Sequence, residues 1–561
     1  MSKLDTSKVH YHPKSMASVL LCDKHLHWAT KQSQSTFRWL GSLETVSWDI
    51  EGIQTKLNTI KKPCYIVRQN GYIGVTHEGT IQETDSHQAI EILTAVSPLY
   101  THQLGDSQFC SAHGIKYAYM AGAMANGIAS EELVIALGKT GILGSFGAGG
   151  LVPDRIEAAI HRIQQALPSG PYAFNLIHSP SEAAIERRSV ELYIKRGIKT
   201  IEASAFLGLT SSVVHYRVSG LQLSSAGHIE INHKIIAKVS RAEVATKFMS
   251  PAPTKILQQL LEQGLISEQQ AKLAETVPMA DDITVEGDSG GHTDNRPIVA
   301  LLPTILQLRH EIQEKYRYET PIRVGAAGGI GTPHSVLAAF MMGAAYVVTG
   351  SVNQACVEAG TSAQVKQLLA QASITDMAMA PAADMFEMGV RLQVLKRGSF
   401  FPMRAQKLFD YYQKYQAIEE IPSKERQQLE QQIFRKDLDT VWQETVAYFQ
   451  QRDPAQIARS IDHPKRKMAL IFRSYLGQAS RWAITGDVSR EGDYQIWCGP
   501  TMGAFNAWVE GTYLKQAENR RVVDVATHLM QGAAILYRLQ MLKLQGLELA
   551  PHYFQYLPEP F

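Results

Sequence analysis

The 561-residue sequence has few cysteines, no long apolar run and almost no net charge, and each shortage argues against a class of protein. Its five cysteines form neither a CxxC pair nor a Cys/His cluster with zinc-ligand spacing, so neither a metal site nor a disulfide framework is indicated. No apolar stretch reaches the length of a membrane-spanning helix, and no export signal is recognisable. We therefore expect a cytoplasmic protein with no membrane span.

The charge balance also bears on the partners. Lys and Arg number 55 against 53 Asp and Glu, which is too even to indicate a nucleic-acid-binding protein. With 45% hydrophobic and 19% charged residues, the composition is that of an ordinary globular protein. The length exceeds what one hydrophobic core usually serves, so we expect two or three structural units.

Motifs for nucleophilic catalysis are missing as well. The sequence has no GxSxG turn, no cysteine with an evident histidine partner and no carboxylate pair typical of a hydrolase. A bound redox cofactor would supply the chemistry that these side chains do not.

Short apolar or β-branched runs alternate with amphipathic helical patterns between about residues 110 and 352. Several of the helices begin at N-cap residues such as Ser130 and Thr332. Eight βα units predict a (β/α)₈ TIM-type barrel of the α/β class, with a doubly wound sheet as the alternative. The predicted strands are Lys116–Ala123, Gly141–Gly147, Tyr172–His178, Thr200–Phe206, Ile235–Ser240, Asp282–Gly287, Ile322–Gly329 and Tyr346–Ser351.

The flanks depart from this alternation. Residues 1–105 predict a small mixed N-terminal unit with strands at Cys64–Arg68 and Tyr72–Thr76. The barrel is assigned residues 106–400, with an inserted helical segment at about 241–281. Residues 401–561 predict a helical C-terminal region.

Two glycine-rich strand ends, "GAAGGIGTP" and "VVTGS", follow the seventh and eighth predicted strands. Barrels commonly bind a phosphate group there, between bare backbone amides. Gly328 and Gly329 would let the backbone approach the phosphate, and Gly350 with Ser351 would complete the site. The alternative is that these glycines only end their strands.

Polar residues within predicted strands form a second candidate group. Asn175 and Lys238 would contact a heterocycle or an anionic ring if they face the barrel mouth, since buried polar groups need partners. The alternative for Lys238 is a structural ion pair with Glu202.

"EGDSGGHTDNRP" places His292 after two glycines at the end of the sixth predicted strand. Catalytic residues of barrels concentrate at the carboxyl ends of strands, so His292 is a candidate for direct participation. A structural role is the alternative, with Asp288, Ser289 and Asp294 orienting the ring or satisfying the loop backbone.

Longer stretches of the sequence resemble a known family. The PfaD family, trans-acting enoyl reductases of polyunsaturated fatty acid and polyketide synthases, has similar motifs, and it belongs with the FMN-binding barrels that include the nitronate monooxygenases. The resemblance covers about residues 100–515, including "AGAMANGIASEELVIALGKTGILGSFGAGGL", "PYAFNLIHSPSE", "ADDITVEGDSGGHTDNRP", "VGAAGGIGTP" and "MAPAADMFEMGV".

The resemblance implies a set of site residues. Gly122, Ala123 and Met124 would line the flavin ring, Asn175 and Lys238 would contact it, and Gly290 and Gly291 would approach the ribityl-phosphate side. His292 falls on the histidine of the superfamily's GGH motif. Asp294 is a departure, since the wider group often has glycine there. The residues implied to hold the FMN phosphate are Gly328, Gly329, Gly350 and Ser351.

The implied activity is reduction of an enoyl thioester by NADPH, or NADH, through FMN. The substrate would arrive on an acyl carrier protein by a phosphopantetheine arm, within a fatty acid or polyketide synthase. The basic run His463–Lys467 is a candidate docking patch or a solvated helix start. The tail is expected to pack over the barrel or to form a homodimer face. A nitronate-monooxygenase-like oxidase and a non-catalytic FMN-bearing subunit are the alternative functions.

Overall fold

The structure, a computed structural model, describes residues 26–28, 37–84, 90–178 and 183–561. Part of the predicted N-terminal unit therefore lies outside the described residues. The strands are β1 Leu26–Trp28, β2 Phe37–Leu40, β3 Cys64–Gln69, β4 Tyr72–Thr76, β5 Thr80–Glu83, β6 Ile90–Val96, β7 Tyr119–Ala121, β8 Leu143–Phe146, β9 Ala173–Ile177, β10 Thr200–Ser204, β11 Leu221–Leu223, β12 Ile229–Ile231, β13 Lys234–Val239, β14 Asp282–Glu286, β15 Gly291–His292, β16 Arg323–Ala327, β17 Val347–Thr349, β18 Met377–Pro381, β19 Arg391–Leu395 and β20 Leu547–Leu549.

Helices outnumber strands in the second half of the chain. They are α1 Ile50–Asn58, α2 Ser107–His113, α3 Glu131–Lys139, α4 Pro153–Ala166, α5 Ala183–Lys195, α6 Ser211–Ser219, α7 Ala242–Met249, α8 Thr254–Glu262, α9 Glu268–Ala274, α10 Ile298–Tyr316, α11 Pro333–Met341, α12 Ser351–Gln354, α13 Ala363–Ala370, α14 Phe401–Lys414, α15 Ser423–Gln428, α16 Leu438–Arg452, α17 Pro454–Ala458, α18 Pro464–Thr485, α19 Thr501–Trp508 and α20 Val522–Leu544. Within the described ranges, none of these helices has the length and apolarity needed to span a membrane.

The chain divides into two compact units. The first contains the described residues up to Tyr100 together with Ala534–Tyr556. Its main sheet is antiparallel in the order β4-β3-β6-β2-β5 and packs around Trp39. Buried Arg538 donates to the backbone carbonyls of Thr59 at 3.1 Å and Lys62 at 2.8 Å, which offsets part of the cost of removing this cation from water.

The second unit contains Thr101–Ala533 and Leu557–Phe561, and its centre is a closed eight-stranded parallel barrel. Around the barrel the strand order is β7-β8-β9-β10-β13-β14-β16-β17, and β17 pairs with β7 to close it. The predicted (β/α)₈ barrel is confirmed, because each predicted strand overlaps one barrel strand. The doubly wound sheet is wrong, since an open sheet would leave its outermost strands unpaired on one side.

Local sequence signals explain where the helices start. Ser130 Oγ accepts a hydrogen bond from the amide of Leu133, and Thr332 Oγ1 accepts one from Ser335, as expected for N-caps. The inserted segment between β13 and β14 contains α7, α8 and α9. The predicted inserted helical segment is therefore present.

Buried charges close the amino end of the barrel. Asp282, at the start of β14, accepts hydrogen bonds from Arg323 at 2.6 and 3.0 Å and contacts His113 Nε2 at 2.8 Å. All three side chains are almost fully buried. Because this end is filled by a polar network, we expect a ligand site at the carboxyl ends of the strands, here called the mouth.

The residues after the barrel form a helical region and a small sheet. The sheet is antiparallel in the order β15-β19-β18, so a piece of the loop after β14 pairs with a strand about a hundred residues further along. The helical region has its own core, against which Trp442, Trp482 and Trp497 pack. The boundary at residue 400 between barrel and helical region stays a prediction.

Candidate active site

Two consecutive glycines follow β16, and both hold a left-handed backbone. The φ angles are 75° at Gly328 and 77° at Gly329, a region that other residues enter only with strain. A Cβ on Gly328 would lie 2.7 Å from the backbone of Gly287, so Gly328 lets the loops after β14 and β16 approach each other. A Cβ on Gly329 would meet no atom within 4 Å, and the Gly329 amide has no acceptor among the described residues. Gly329 therefore presents a bare N–H group.

A second bare turn follows β17, the neighbouring strand. A Cβ on Gly350 would also meet no atom within 4 Å. The next residue, Ser351, accepts a hydrogen bond of 3.1 Å through Oγ from the amide of Gly499. A hydroxyl that accepts in this way keeps its proton free to donate. Because β16 and β17 are paired, the four predicted phosphate residues come together at one side of the mouth.

Lys238 lies between two glutamates in the mouth. Its Nζ is 3.2 Å from Oε1 of Glu286 and 3.8 Å from Oε1 of Glu202. Burial works to lower the pKa of Lys238, but the two carboxylates outweigh burial and hold this pKa above its ordinary value. The ion pair with Glu202 considered from the sequence is present, with Glu286 as a second partner.

Glu202 also connects this cluster to the first barrel loop. Its Oε2 accepts a hydrogen bond of 2.7 Å from the amide of Ala123, while the buried Oε1 has no hydrogen-bond donor among the described residues. The amide of Gly122 donates to the carbonyl of Thr349 at 2.9 Å. The backbone of Met124 lies against Gly147, where a side chain would collide with it. Gly122–Met124 thus forms a fixed wall beside the Glu202 carboxylate.

Asn175 has its two N–H groups already engaged. They donate to the carbonyl of Glu202 at 3.0 Å and to the hydroxyl of Ser204 at 3.1 Å. The side-chain oxygen points toward Gly149, because a Cβ built there would lie 3.1 Å from it. Toward any further partner, Asn175 therefore offers an acceptor.

His292 is held by a residue from outside the barrel. Its Nε2 lies 3.0 Å from Oδ1 of Asp384, in the loop between β18 and β19. Burial works to lower the pKa of His292, yet the Asp384 hydrogen bond and charge, aided by Glu286, hold it above its ordinary value. About a third of each side chain is exposed, 34% for His292 and 32% for Asp384. The ring is thus paired but reachable.

Asp294, the departure from the superfamily pattern, joins the same loop to the two residues directly after β13. Arg241 donates two hydrogen bonds to its carboxylate, at 2.8 and 2.9 Å, and Ser240 donates a third at 2.6 Å. The Arg241 hydrogen bond is the main reason why the pKa of Asp294 falls to about 2. An anchored carboxylate takes the place that glycine often has in the wider group.

Gly290 and Gly291 face the segment before α19. A Cβ on Gly290 would lie 2.8 Å from Cα of Cys498, so protein backbone occupies the space beside it. Gly291 has a φ of 79°, and the ring of Trp497 lies 4.0 Å from its Cβ position. Whether these glycines also approach a ligand, as the resemblance implies, stays a prediction.

The basic run His463–Lys467 is engaged within the helical region. Lys465 Nζ donates to the carbonyl of Tyr415 at 2.5 Å, and Arg466 donates to Oε1 of Gln456 at 2.8 Å. These bonds hold the start of α18 against its neighbours. A docking role for this run stays a prediction.

Sequence reasoning missed several residues of the site. Glu286 carried a usable signal, since it lies two places after Thr284, the residue opposite Lys238, and so on the same face of the sheet. Asp384 lies inside a quoted motif, but nothing local links it to His292. The missed residues are Glu286, Asp384, Gln393, Trp497, Cys498 and Gly499.

Comparison of the sequence with known protein families assigns the chain to a class. That class agrees with the barrel described above. The chain belongs to the nitronate monooxygenase family, whose sequence model matches residues 107–430. Within that family it is of the PfaD type: the N-terminal domain of the fatty acid synthase subunit PfaD matches residues 39–98. The inserted helical domain of [acyl-carrier-protein] S-malonyltransferase matches residues 415–494.

Individual relatives agree with this assignment. A polyunsaturated fatty acid synthase subunit of Thraustochytrium sp. is 46% identical over 504 residues, which cover 89% of this chain and 33% of the relative. The polyketide biosynthesis protein PksE of Bacillus subtilis is 45% identical over 439 residues, covering 78% of this chain and 57% of PksE. The chain thus spans about a third of the first relative and little more than half of the second.

A solved structure is similar as well. The crystal structure of the enoyl reductase domain of MlnA, from the macrolactin biosynthesis cluster of Bacillus amyloliquefaciens, superposes with a TM-score of 0.75 at 40% identity. The match covers 78% of this chain and 99% of that domain.

Proposed function

We propose that the chain is a trans-acting enoyl reductase that uses FMN and NADPH, or NADH, in the synthesis of polyunsaturated fatty acids or polyketides. The observation that carries this proposal is the similarity to the MlnA enoyl reductase domain. The match covers 99% of the MlnA domain. The substrate would be an enoyl thioester on an acyl carrier protein, since one relative is a polyunsaturated fatty acid synthase subunit and another is a polyketide biosynthesis protein.

The mouth fits FMN on two observations. Bare amides at Gly329 and Gly350, beside space that a Cβ would fill, suit a phosphate group, which needs N–H donors and close backbone approach. The ammonium of Lys238, kept charged by two glutamates, suits an electron-rich ring. The residues proposed to hold FMN are Gly122, Ala123, Met124, Asn175, Lys238, Gly290, Gly291, Gly328, Gly329, Gly350 and Ser351.

Bound FMN would supply hydride chemistry, taking a hydride from NAD(P)H and delivering it to the β-carbon of the enoyl thioester. The remaining step for the chain's own residues is the delivery of one proton to the substrate. Adding a hydride at the β-carbon leaves negative charge on the α-carbon and the thioester oxygen, and a proton must reach the α-carbon. His292 is the proposed donor because it is paired with Asp384, has a raised pKa and is reachable.

The walls of the mouth have a separate task. Gly122–Met124 is fixed by hydrogen bonds to Thr349 and Glu202, so it can hold a flat ring in one orientation. A rigid site avoids the cost of arranging dipoles during the reaction. Keeping water and oxygen from the reduced cofactor would favour reduction of the substrate over oxidation by oxygen.

Anaerobic turnover tests the proposal. Purified protein loaded with FMN is given NADPH and a crotonyl thioester on a carrier protein, and absorbance reports NADPH consumption. We expect NADPH oxidation that depends on the thioester. Consumption of nitronates with oxygen, but no reaction with the thioester, would support the oxidase alternative, and a failure with both would support the non-catalytic subunit.

A further inference from the structure

We propose that Asp384 is a positioning residue that fixes the ring of His292 through Nε2 and leaves Nδ1 as the atom that gives the proton. This inference rests on the proposed function. Nε2 lies 3.0 Å from Oδ1 of Asp384, while Nδ1 has no hydrogen-bond partner in the part of the chain that the structure describes. A ring held at one nitrogen can act only through the other.

The backbone at His292 is also held by hydrogen bonds. Gly291 and His292 form the short strand β15, which pairs with Gln393 and Leu392 of β19. The side chain of Gln393 donates to the carbonyl of Ser289 at 2.7 Å. The loop that carries His292 is therefore part of a sheet, and Asp384 comes from the turn of that same sheet.

Further contacts keep this sheet in place. Gln393 also donates to Oδ1 of Asp288 at 2.7 Å, and its backbone carbonyl accepts from the amide of Cys498 at 3.3 Å. Cys498 in turn fills the space beside Gly290. A loop fixed from three directions holds the ring orientation that a single hydrogen bond would leave free.

The charges around the ring favour the imidazolium. Asp384 contacts it from the β18–β19 loop, Glu286 faces it from β14, and Lys238 opposes them from β13. Arg473 of α18 acts on Asp384 and is itself paired with Glu387 at 3.1 Å. Two carboxylates against one ammonium favour the protonated ring, which agrees with the raised pKa of His292.

The proton balance then follows. The N–H bond at Nδ1 breaks as a C–H bond forms at the α-carbon, and the thioester enolate is neutralised. The ring becomes neutral but keeps its Nε2 proton, which it still donates to Asp384. With 34% of its side chain exposed, His292 can take a new proton from water at Nδ1. Asp384 stays ionised throughout and is never the donor.

The test uses the FMN-loaded protein with labelled histidine and follows the titration of His292 by NMR. Asp384→Asn keeps the shape and removes the charge. We expect the pKa of His292 to fall by about one unit or more, as the loss of a directly bonded carboxylate implies. Glu387→Gln is the matched control, since it removes a carboxylate on the same loop whose partner is Arg473. We expect no shift from it.

A second readout separates this inference from the proposed function. Reduced protein is mixed with the enoyl thioester across a pH series, and the rate should fall as pH rises through the pKa of His292. In Asp384→Asn that fall should move to lower pH, while reduction of the flavin by NADPH should be unchanged.

An unmoved His292 titration in Asp384→Asn would overturn the positioning role, whatever the activity. A shifted titration in a protein that never reduces thioesters would leave the pairing standing and contradict the proposed function instead.

Discussion

The Nζ atom of Lys238 lies 3.2 Å from Oε1 of Glu286, on the next strand of the barrel. On the other side of Lys238, Glu202 is almost completely buried and keeps one carboxylate oxygen without a hydrogen-bond donor among the described residues. One ammonium thus compensates two carboxylates. The stability of the barrel mouth should therefore depend on this cation.

Replacing the cation should therefore weaken the fold. Lys238→Met leaves Glu202 buried without its countercharge, and we expect a loss of about 3 kcal/mol in the free energy of unfolding, measured by urea titration. Adding Glu286→Gln to the Lys238→Met variant should restore part of the lost stability, because it removes one of the two uncompensated carboxylates. Lys255→Met, at an exposed position of the insertion, should change stability by less than about 0.5 kcal/mol. Equal losses in both single variants would contradict the role of Lys238.

The phosphate site is best tested at Gly350. Its φ is negative and its Cβ position is open, so Gly350→Val adds bulk at the site without requiring the left-handed backbone that Gly329 holds. We expect weaker FMN binding by fluorescence titration, because the added methyls crowd the phosphate. Gly477→Ala is the control, since its Cβ also meets no atom and it lies within α18. It should bind FMN normally and gain about 0.5 kcal/mol in stability.

His292 should be required for one half of the reaction only. In His292→Gln, FMN should stay bound and NADPH should still reduce it, since neither step needs a proton from this ring. Reduction of the enoyl thioester should slow by about 100-fold or more, as the loss of a positioned acid implies. Stopped-flow measurement of each half-reaction checks this. Normal enoyl reduction in the variant would show that His292 is not the donor.

Asp294 predicts a dependence of stability on acid. The pKa of Asp294 falls from 3.8 to about 2 in the folded protein. The ion pair with Arg241 therefore stabilises the protein at pH values above 3.8, and this stabilisation is lost as the pH falls toward 2. Asp294→Asn should thus be less stable than the parent protein at neutral pH, and the difference should shrink below pH 3.8. Denaturation at several pH values measures it. A difference that grows in acid would contradict this assignment.

The alternation of strands and helices was predictable because it is local. A buried strand such as Ile283–Val285 is a short run of β-branched residues, and a helix start such as Thr332-Pro333 carries its own signal. The glycines of the proposed phosphate site were predicted for the same reason, since a glycine-rich turn at a strand end is visible in sequence.

The rest of the site depends on distant contacts. Asp384 meets His292 across 92 residues, and Cys498 reaches Gly290 from the far side of the helical region. Gly290 illustrates the limit, because a missing side chain shows that something comes close without showing what. In the structure, the group that comes close to Gly290 is the backbone of Cys498.

The central claim is that this chain reduces the double bond of an enoyl group on a carrier protein. The most direct test is mass spectrometry of the acyl chain on the carrier after anaerobic incubation with FMN, NADPH and this protein. We predict a product heavier by two hydrogens in ordinary water, and a deuterium at the α-carbon when the reaction is run in heavy water. An acyl chain of unchanged mass, under conditions in which NADPH reduces the flavin, would contradict the account.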